Sequence, residues 1–194
     1  MPRLWNETLA AHRHDVQEAI TETAWRLVDE QGLLAVTMSR VAEEAGIGRA
    51  TLYKYFPNVE AILLARHQRH VEQHLADLTE LRDQPGEAVE RLEAVLTAFA
   101  LISFHRGRHG RPDLSALLHR ADGMEGAEEK LRRLFRDLIA EAGKAGAIRN
   151  DVNPDELAAY CHHALGAAGD AQSEAAARRL AAVTITGLRE SATT

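Results

Sequence analysis

Between Arg49 and Phe56 the chain gathers Arg, Ala, Thr, Tyr, Lys and Tyr into one short stretch with helical spacing. These side chains suit the edge of a base pair. Arginine offers a two-pronged donor to guanine, alanine and threonine can touch a thymine methyl, and tyrosine and lysine reach phosphate oxygens. Leu52 and Phe56 are four apart and face inward, which leaves Arg49, Ala50, Thr51, Tyr53, Lys54 and Tyr55 outward. Of only nine aromatic residues in the chain, Tyr53, Tyr55 and Phe56 fall within four positions. A hairpin with an idle, solvated outer face does not account for two exposed tyrosines.

Other residues with chemical potential are weaker. His67, His70 and His74 lie along one stripe of a helix, yet their spacing lets only adjacent pairs chelate one ion, so a half-buried polar stripe is the stronger reading. Cys161 and His162 are adjacent and point about 100° apart on a helix, which suits a buried structural cysteine better than a nucleophile and its base. His105 and His109 flank a glycine-rich basic connection read as a solvated loop. With no Glu-x-x-His metal motif, no phosphate loop and no G-x-S-x-G elbow, no enzyme, metal or cofactor is expected.

The outward set needs elements to hold it. Thr37 is placed to cap a helix in which Met38, Val41, Ala42 and Ala45 recur at i, i+3, i+4 and i+7. Gly46-Ile47-Gly48 then allows a sharp turn into the Arg49–Phe56 segment. Ahead of it, Val16, Ile20, Ala24, Leu27 and Val28 predict a helix from about Asp15 to Gln31, closed by Gly32, with Trp25 packing on a neighbour. The residues before Asp15, with Arg3 and Arg13, read as a frayed terminus. A fourth helix is predicted from Pro57 to about Leu81.

The rest of the 194-residue chain reads as helices without strand alternation or repeats, an all-α protein. Arg82-Asp83-Gln84-Pro85-Gly86 breaks the pattern, and a helix then runs uncharged from Ala94 to Phe104, closed by Gly107, Gly110 and Pro112. Being apolar all round, this helix is buried, with Thr97 and Ser103 as its polar exceptions. A short helix follows over 113–120, and Leu131, Leu134, Phe135, Leu138, Ile139 and Ala142 mark an amphipathic one. Asn153 caps the next, from Pro154 to about Ala167, which sets Leu157, Tyr160, Cys161 and Ala164 on one side. The last, Glu174 to about Arg189, carries a stripe of Ala177, Leu180, Ala181, Thr184, Gly187 and Leu188. Little chain remains to cover that stripe, so a second copy is expected against Leu157, Cys161, Ala177, Leu180, Ala181, Thr184 and Leu188. Phe99 and Phe135 offer aromatic walls which, with Thr97 and Ser103, suit a mostly apolar small-molecule site.

Composition narrows the class. The chain is 45% hydrophobic and 27% charged, as soluble globular proteins are, and its single cysteine suits a reducing cytoplasm. No signal peptide or membrane span is expected. Residues 1–60 carry six basic against nine acidic side chains, which excludes a non-specific DNA coater held by counterion release. Binding by such a chain would need base contacts and two copies.

The run from about Val16 to Leu75 resembles the DNA-binding region of TetR-family transcriptional regulators. Gly32, the Ala45-Gly46-Ile47-Gly48 turn, Thr51-Leu52-Tyr53 and Tyr55-Phe56 carry the likeness, which covers about a third of the chain. Val59 stands where the family usually has lysine, and Gly48 where serine is commoner. The resemblance implies about nine helices: a helix-turn-helix domain over residues 1–56, and a ligand-binding and dimerisation domain over 57–194 joined through the helix at about 57–81. It implies base and phosphate contacts by Arg49, Ala50, Thr51, Tyr53, Lys54 and Tyr55, with Ser39 and Arg40 beside them. It further implies a cytoplasmic homodimer on palindromic double-stranded operator DNA, paired through a four-helix bundle. As a repressor it would be released by a small, mostly apolar effector, and His67, His70, His119 and Tyr160 join Thr97, Phe99, Ser103 and Phe135 as expected pocket residues. A helical enzyme and a hairpin used for protein contacts are the competing readings; salt-dependent, operator-specific binding separates them.

Overall fold

A computed structural model describes residues 2–109 and 124–189, and every regular element among them is helical. Eight α-helices follow one another: α1 (Pro2–Gln31), α2 (Met38–Glu44), α3 (Arg49–Tyr55), α4 (Val59–Arg82), α5 (Ala88–His109), α6 (Met124–Lys144), α7 (Pro154–Gly166) and α8 (Glu174–Leu188). Short 3-10 turns occupy Leu33–Ala35 and Ala167–Asp170. The helix expected over 113–120 lies outside the described residues.

Two compact units divide the described chain between His70 and Val71. The division falls inside α4 and not ahead of it, at residue 56, as the sequence suggests. Ile62 and Leu63 of α4 are fully buried, packed in one cluster with Ile20, Ala24, Leu27 and Val28 of α1, Val41 and Ala42 of α2, and Leu52 of α3. Without the start of α4 that core would lack one wall. Asn58, not Pro57, opens the helix: its side-chain oxygen accepts from the Ala61 amide at 2.8 Å.

α1 begins at Pro2 and not near Asp15. Proline is compatible with a first helical position, and nothing between Arg3 and Gln31 breaks a helix. His12, Arg13, His14 and Asp15 are all exposed, so no apolar stripe betrays the helix there. Arg66 of α4 lies over the Trp25 ring, 4.2 Å from its centroid, and its guanidinium also meets Glu22 at 2.8 Å. Trp25 thus packs on a neighbouring helix.

In the second unit α5 is the central helix, touching α6, α7, α8 and the Ala167–Asp170 turn. Val95, Leu96, Phe99, Ala100, Ser103 and Phe104 are buried along it, whereas Ala94 is exposed. Gly107 does not end this helix. A Cβ there would sit 2.0 Å from the Gly169 carbonyl oxygen, so the glycine lets the 3-10 turn press on the backbone of α5. The expected stripe of α6, from Leu131 to Ala142, is the buried one. It ends with Gly146 at φ 69°, the Gly146 amide donating to Gly143 and the Ala147 amide to Ala142. Asn153 caps α7 through the Asp155 amide and Ser173 caps α8 through the Ala176 amide.

One expectation about α7 and α8 is overturned. Leu157, Cys161, Ala177, Ala181, Thr184 and Leu188 are all buried within the chain itself, and Leu180 is partly buried against the same cluster. Their stripe closes on α5, which supplies the cover that the sequence alone failed to identify. Burial of the Cys161 thiol pushes its pKa up to about 12, so it stays protonated.

Candidate nucleic-acid interface

The face is built by α2, a turn and α3. Thr37 caps α2, its hydroxyl accepting from the Arg40 amide at 3.3 Å. At the other end the Gly46 amide donates to Glu43 and the Ile47 amide to Ala42, a six-residue closure that needs a left-handed residue in the middle. Gly46 provides it at φ 68°, while Gly48, at φ −67°, has an ordinary backbone. Gly48 is the N-cap of α3 without a side-chain bond, and a Cβ there would meet nothing nearer than the Thr51 hydroxyl at 3.8 Å.

α3 then turns Leu52 and Phe56 into the core and leaves Arg49, Ala50, Thr51, Tyr53 and Lys54 exposed. Tyr53 is 50% exposed, although its ring is large and apolar. Tyr55 is only partly exposed and lies under the Arg13 guanidinium, 5.8 Å from its ring centroid. Ser39 and Arg40 are exposed on α2. Among the described residues Arg40, Arg49 and Lys54 form no ion pair, whereas the nearby acids Glu30 and Glu44 are taken up by Arg26. The arrangement presents free cations and hydroxyls outward, which is what a phosphate backbone and base edges engage. A shallow groove of about 200 Å³ lies on the same unit, lined by Val16, Ala19, Ile20, Ala45 and Ile47 with His12 and Asp15.

The other sequence candidates scatter. His67 is partly buried and His70 exposed on the first-unit part of α4. His119 lies outside the described residues. In the second unit Phe99 and Phe135 meet edge-on, ring centroids 5.3 Å apart, and Thr97 is partly buried. Ser103 is 1% exposed and, among the described residues, its hydroxyl has no hydrogen-bond partner. Tyr160 points away from any interior: it is 48% exposed, and its hydroxyl would lie 3.5 Å from a Cβ at Gly187 of α8.

His162 was not anticipated. Its ring lies 5.7 Å from Phe99 at 30°, and its pKa is held below the usual value, first by burial and then by the neighbouring His163. The signal was present, because Ala158, Cys161, His162 and Leu165 fit the i, i+3, i+4, i+7 spacing of one face. Burial likewise lowers the pKa of His74. Among the described residues no group of His, Cys, Asp and Glu could hold a metal ion, and no helix is long and apolar enough to cross a membrane.

Residues 20–65 match the family model of bacterial regulatory proteins, tetR family. Residues 84–190, more than half of the chain, match that of the SbtR-like transcriptional regulator C-terminal domain. The HTH-type transcriptional regulator EthR of Mycobacterium tuberculosis is 37% identical over 73 residues, 38% of this chain and 34% of that protein. The chain thus spans about a third of the length of this curated relative. A TetR/AcrR-family regulator from Thermobifida fusca YX-ER1 superposes with a TM-score of 0.77 at 20% identity, covering 91% of this chain and 100% of the other. The TetR transcriptional regulator SCO0520 of Streptomyces coelicolor is similar at 26% identity and a TM-score of 0.63, covering 91% and 99%. The SmeT–triclosan complex shares the fold at 18% identity with a TM-score of 0.70, covering 93% and 94%.

Proposed function

The chain belongs to the TetR family of bacterial regulatory proteins, and we propose that it binds a specific double-stranded operator through α3 and represses transcription there. The observation that carries this reading is the outer face of α3. Arg49, Thr51, Tyr53 and Lys54 stand exposed around a buried Leu52, and among the described residues their cations are not spent on neighbouring acids. The acidic balance of the chain argues for base reading over charge-driven coating.

Two copies would read a palindrome. The surface that supports pairing is the outer side of α7 and α8, where Tyr160 is 48% and Val183 66% exposed. A small, mostly apolar effector, held by the second unit near Phe99 and Phe135, would release the operator by favouring the non-binding state. SmeT holds triclosan on the same fold, which shows what the fold accommodates in that protein.

Selection of bound fragments from a random-sequence DNA pool tests the reading. The expected product is a palindrome with half-sites about 34–36 Å apart, or wider if the DNA is distorted, bound less tightly as salt rises. Enrichment of no sequence would sink it.

A further inference from the structure

On α5, Phe99, Ser103 and Arg106 follow at i, i+4 and i+7, which brings them within about 60° of one another on the helix. Phe99 meets Phe135 of α6 edge-on and His162 of α7 nearly in parallel. Three polar groups here can donate. Ser103 is 1% exposed, and its hydroxyl is unpartnered among the described residues. Arg106 is exposed and, among the described residues, has no ion pair. His162 is half-buried, and its charge state feels Arg106 and Arg132 as well as His163, against a single acid, Glu128. Arg106 also acts on His74 of α4, though less than Asp77 does.

A buried hydroxyl without a partner calls for an explanation, and a bound ligand supplies one. Among the described residues nothing accepts from the Ser103 hydroxyl, and Arg106, which has no ion pair there, lies on the same side of α5. Sequence reading does not bring Ser103, Arg106 and His162 together, because His162 comes from α7 and the other two from α5.

We propose that this face binds an organic monocarboxylate, with its carboxylate accepting from Ser103, Arg106 and His162 and its apolar body against Phe99 and Phe135. One negative charge with two acceptor oxygens matches one arginine, one imidazole and one hydroxyl, since charge-assisted bonds to a carboxylate are short and directional. The inference rests on the reading of the second unit as the effector-binding part, and it gives the mostly apolar effector an acidic end.

Calorimetric titration of the full chain without DNA tests it, using phenylacetate and octanoate, their amides, and phenyl phosphate. Each acid is expected to bind at least tenfold more tightly than its amide. Arg106→Gln and Ser103→Ala should each weaken the acids at least fivefold and leave the amides alone. Acids and amides that bind alike, or a panel in which no acid binds, would overturn the proposal. Phenyl phosphate binding more tightly than phenylacetate would overturn the carboxylate assignment. A Ser103→Ala variant that melts higher and binds the acids unchanged would show the hydroxyl to be a packing defect, which also overturns it. Because no DNA is present, each negative result leaves operator recognition standing.

Discussion

At the scale of single residues, function turns on which cations are free. Among the described residues Arg49 and Lys54 have no ion pair to lose, so replacing either tests contacts outside the protein. Arg49→Ala should cost about 1–3 kcal/mol of operator affinity and relax the preference at one base pair. Lys54→Ala should weaken the selected operator and its mismatched variants alike, as loss of a phosphate contact does; titration of both DNAs against both variants decides. His162 carries a different prediction. Its folded pKa lies below its unfolded value, so between about pH 6.5 and the folded pKa the unfolded chain binds the extra proton. Stability is therefore complete above that window and falls on acidification toward pH 5. His74, lowered for the same reason of burial, adds to the loss. The exposed carboxylates of Asp83, Glu129 and Asp151, held low by Arg82, Arg133 and Arg149, titrate below this range. His162→Phe should flatten the slope of melting temperature between pH 7 and pH 5; an unchanged slope would assign it to other groups.

At the scale of elements, two glycines in helices should respond in opposite directions. Gly107→Ala drives a Cβ against the Gly169 backbone, which cannot swing aside as a side chain could, and should cost about 1–3 kcal/mol or more. Gly126→Ala in α6 meets nothing within 4 Å and should gain about 0.4–1 kcal/mol. Chemical denaturation of the two variants reads both signs. This pair also shows where sequence reading stops. Glycine ends helices so often that Gly107 reads as a terminator, and only the Ala167–Asp170 turn lying across α5 reveals its other use. The Leu131–Ala142 stripe, by contrast, was legible, because one face is bulky and apolar and the other charged. So were the α2–turn–α3 unit and its outward residues, since caps and turn glycines are local chemistry. The start of α1 was not, because the polar run His12, Arg13, His14 and Asp15 interrupts the hydrophobic period ahead of Val16. Nor was the inward face of α8: Ala177, Ala181 and Thr184 are small, and small residues fit a chain's own core as well as a partner.

At the scale of the whole molecule, the last prediction concerns how two copies meet. Leu188 is 1% exposed, and Leu188→Glu would therefore unfold the second unit before it could report on assembly. The residues that test pairing are those with apolar surface left over. Val183 of α8 and Tyr160 of α7 are the large hydrophobics still exposed among the described residues of the second unit, and Tyr160 reaches across to Gly187, which joins the two helices into one surface. Exposed Ala182 and Gly187 continue it with small residues, over which a second pair of helices can approach closely. In a two-fold dimer each substitution acts twice, because the same patch meets itself. Tyr160→Glu with Val183→Glu should thus bring four carboxylates together across the interface while burying none in the monomer. The expected result is a monomer by sedimentation with an unchanged helical circular dichroism signal. Its operator affinity should fall by about 10²–10⁴-fold, because the second half-site no longer benefits from the first. A double variant that still sediments as a dimer would place the interface elsewhere. A wild-type chain that sediments as a monomer at working concentration would remove the dimer altogether.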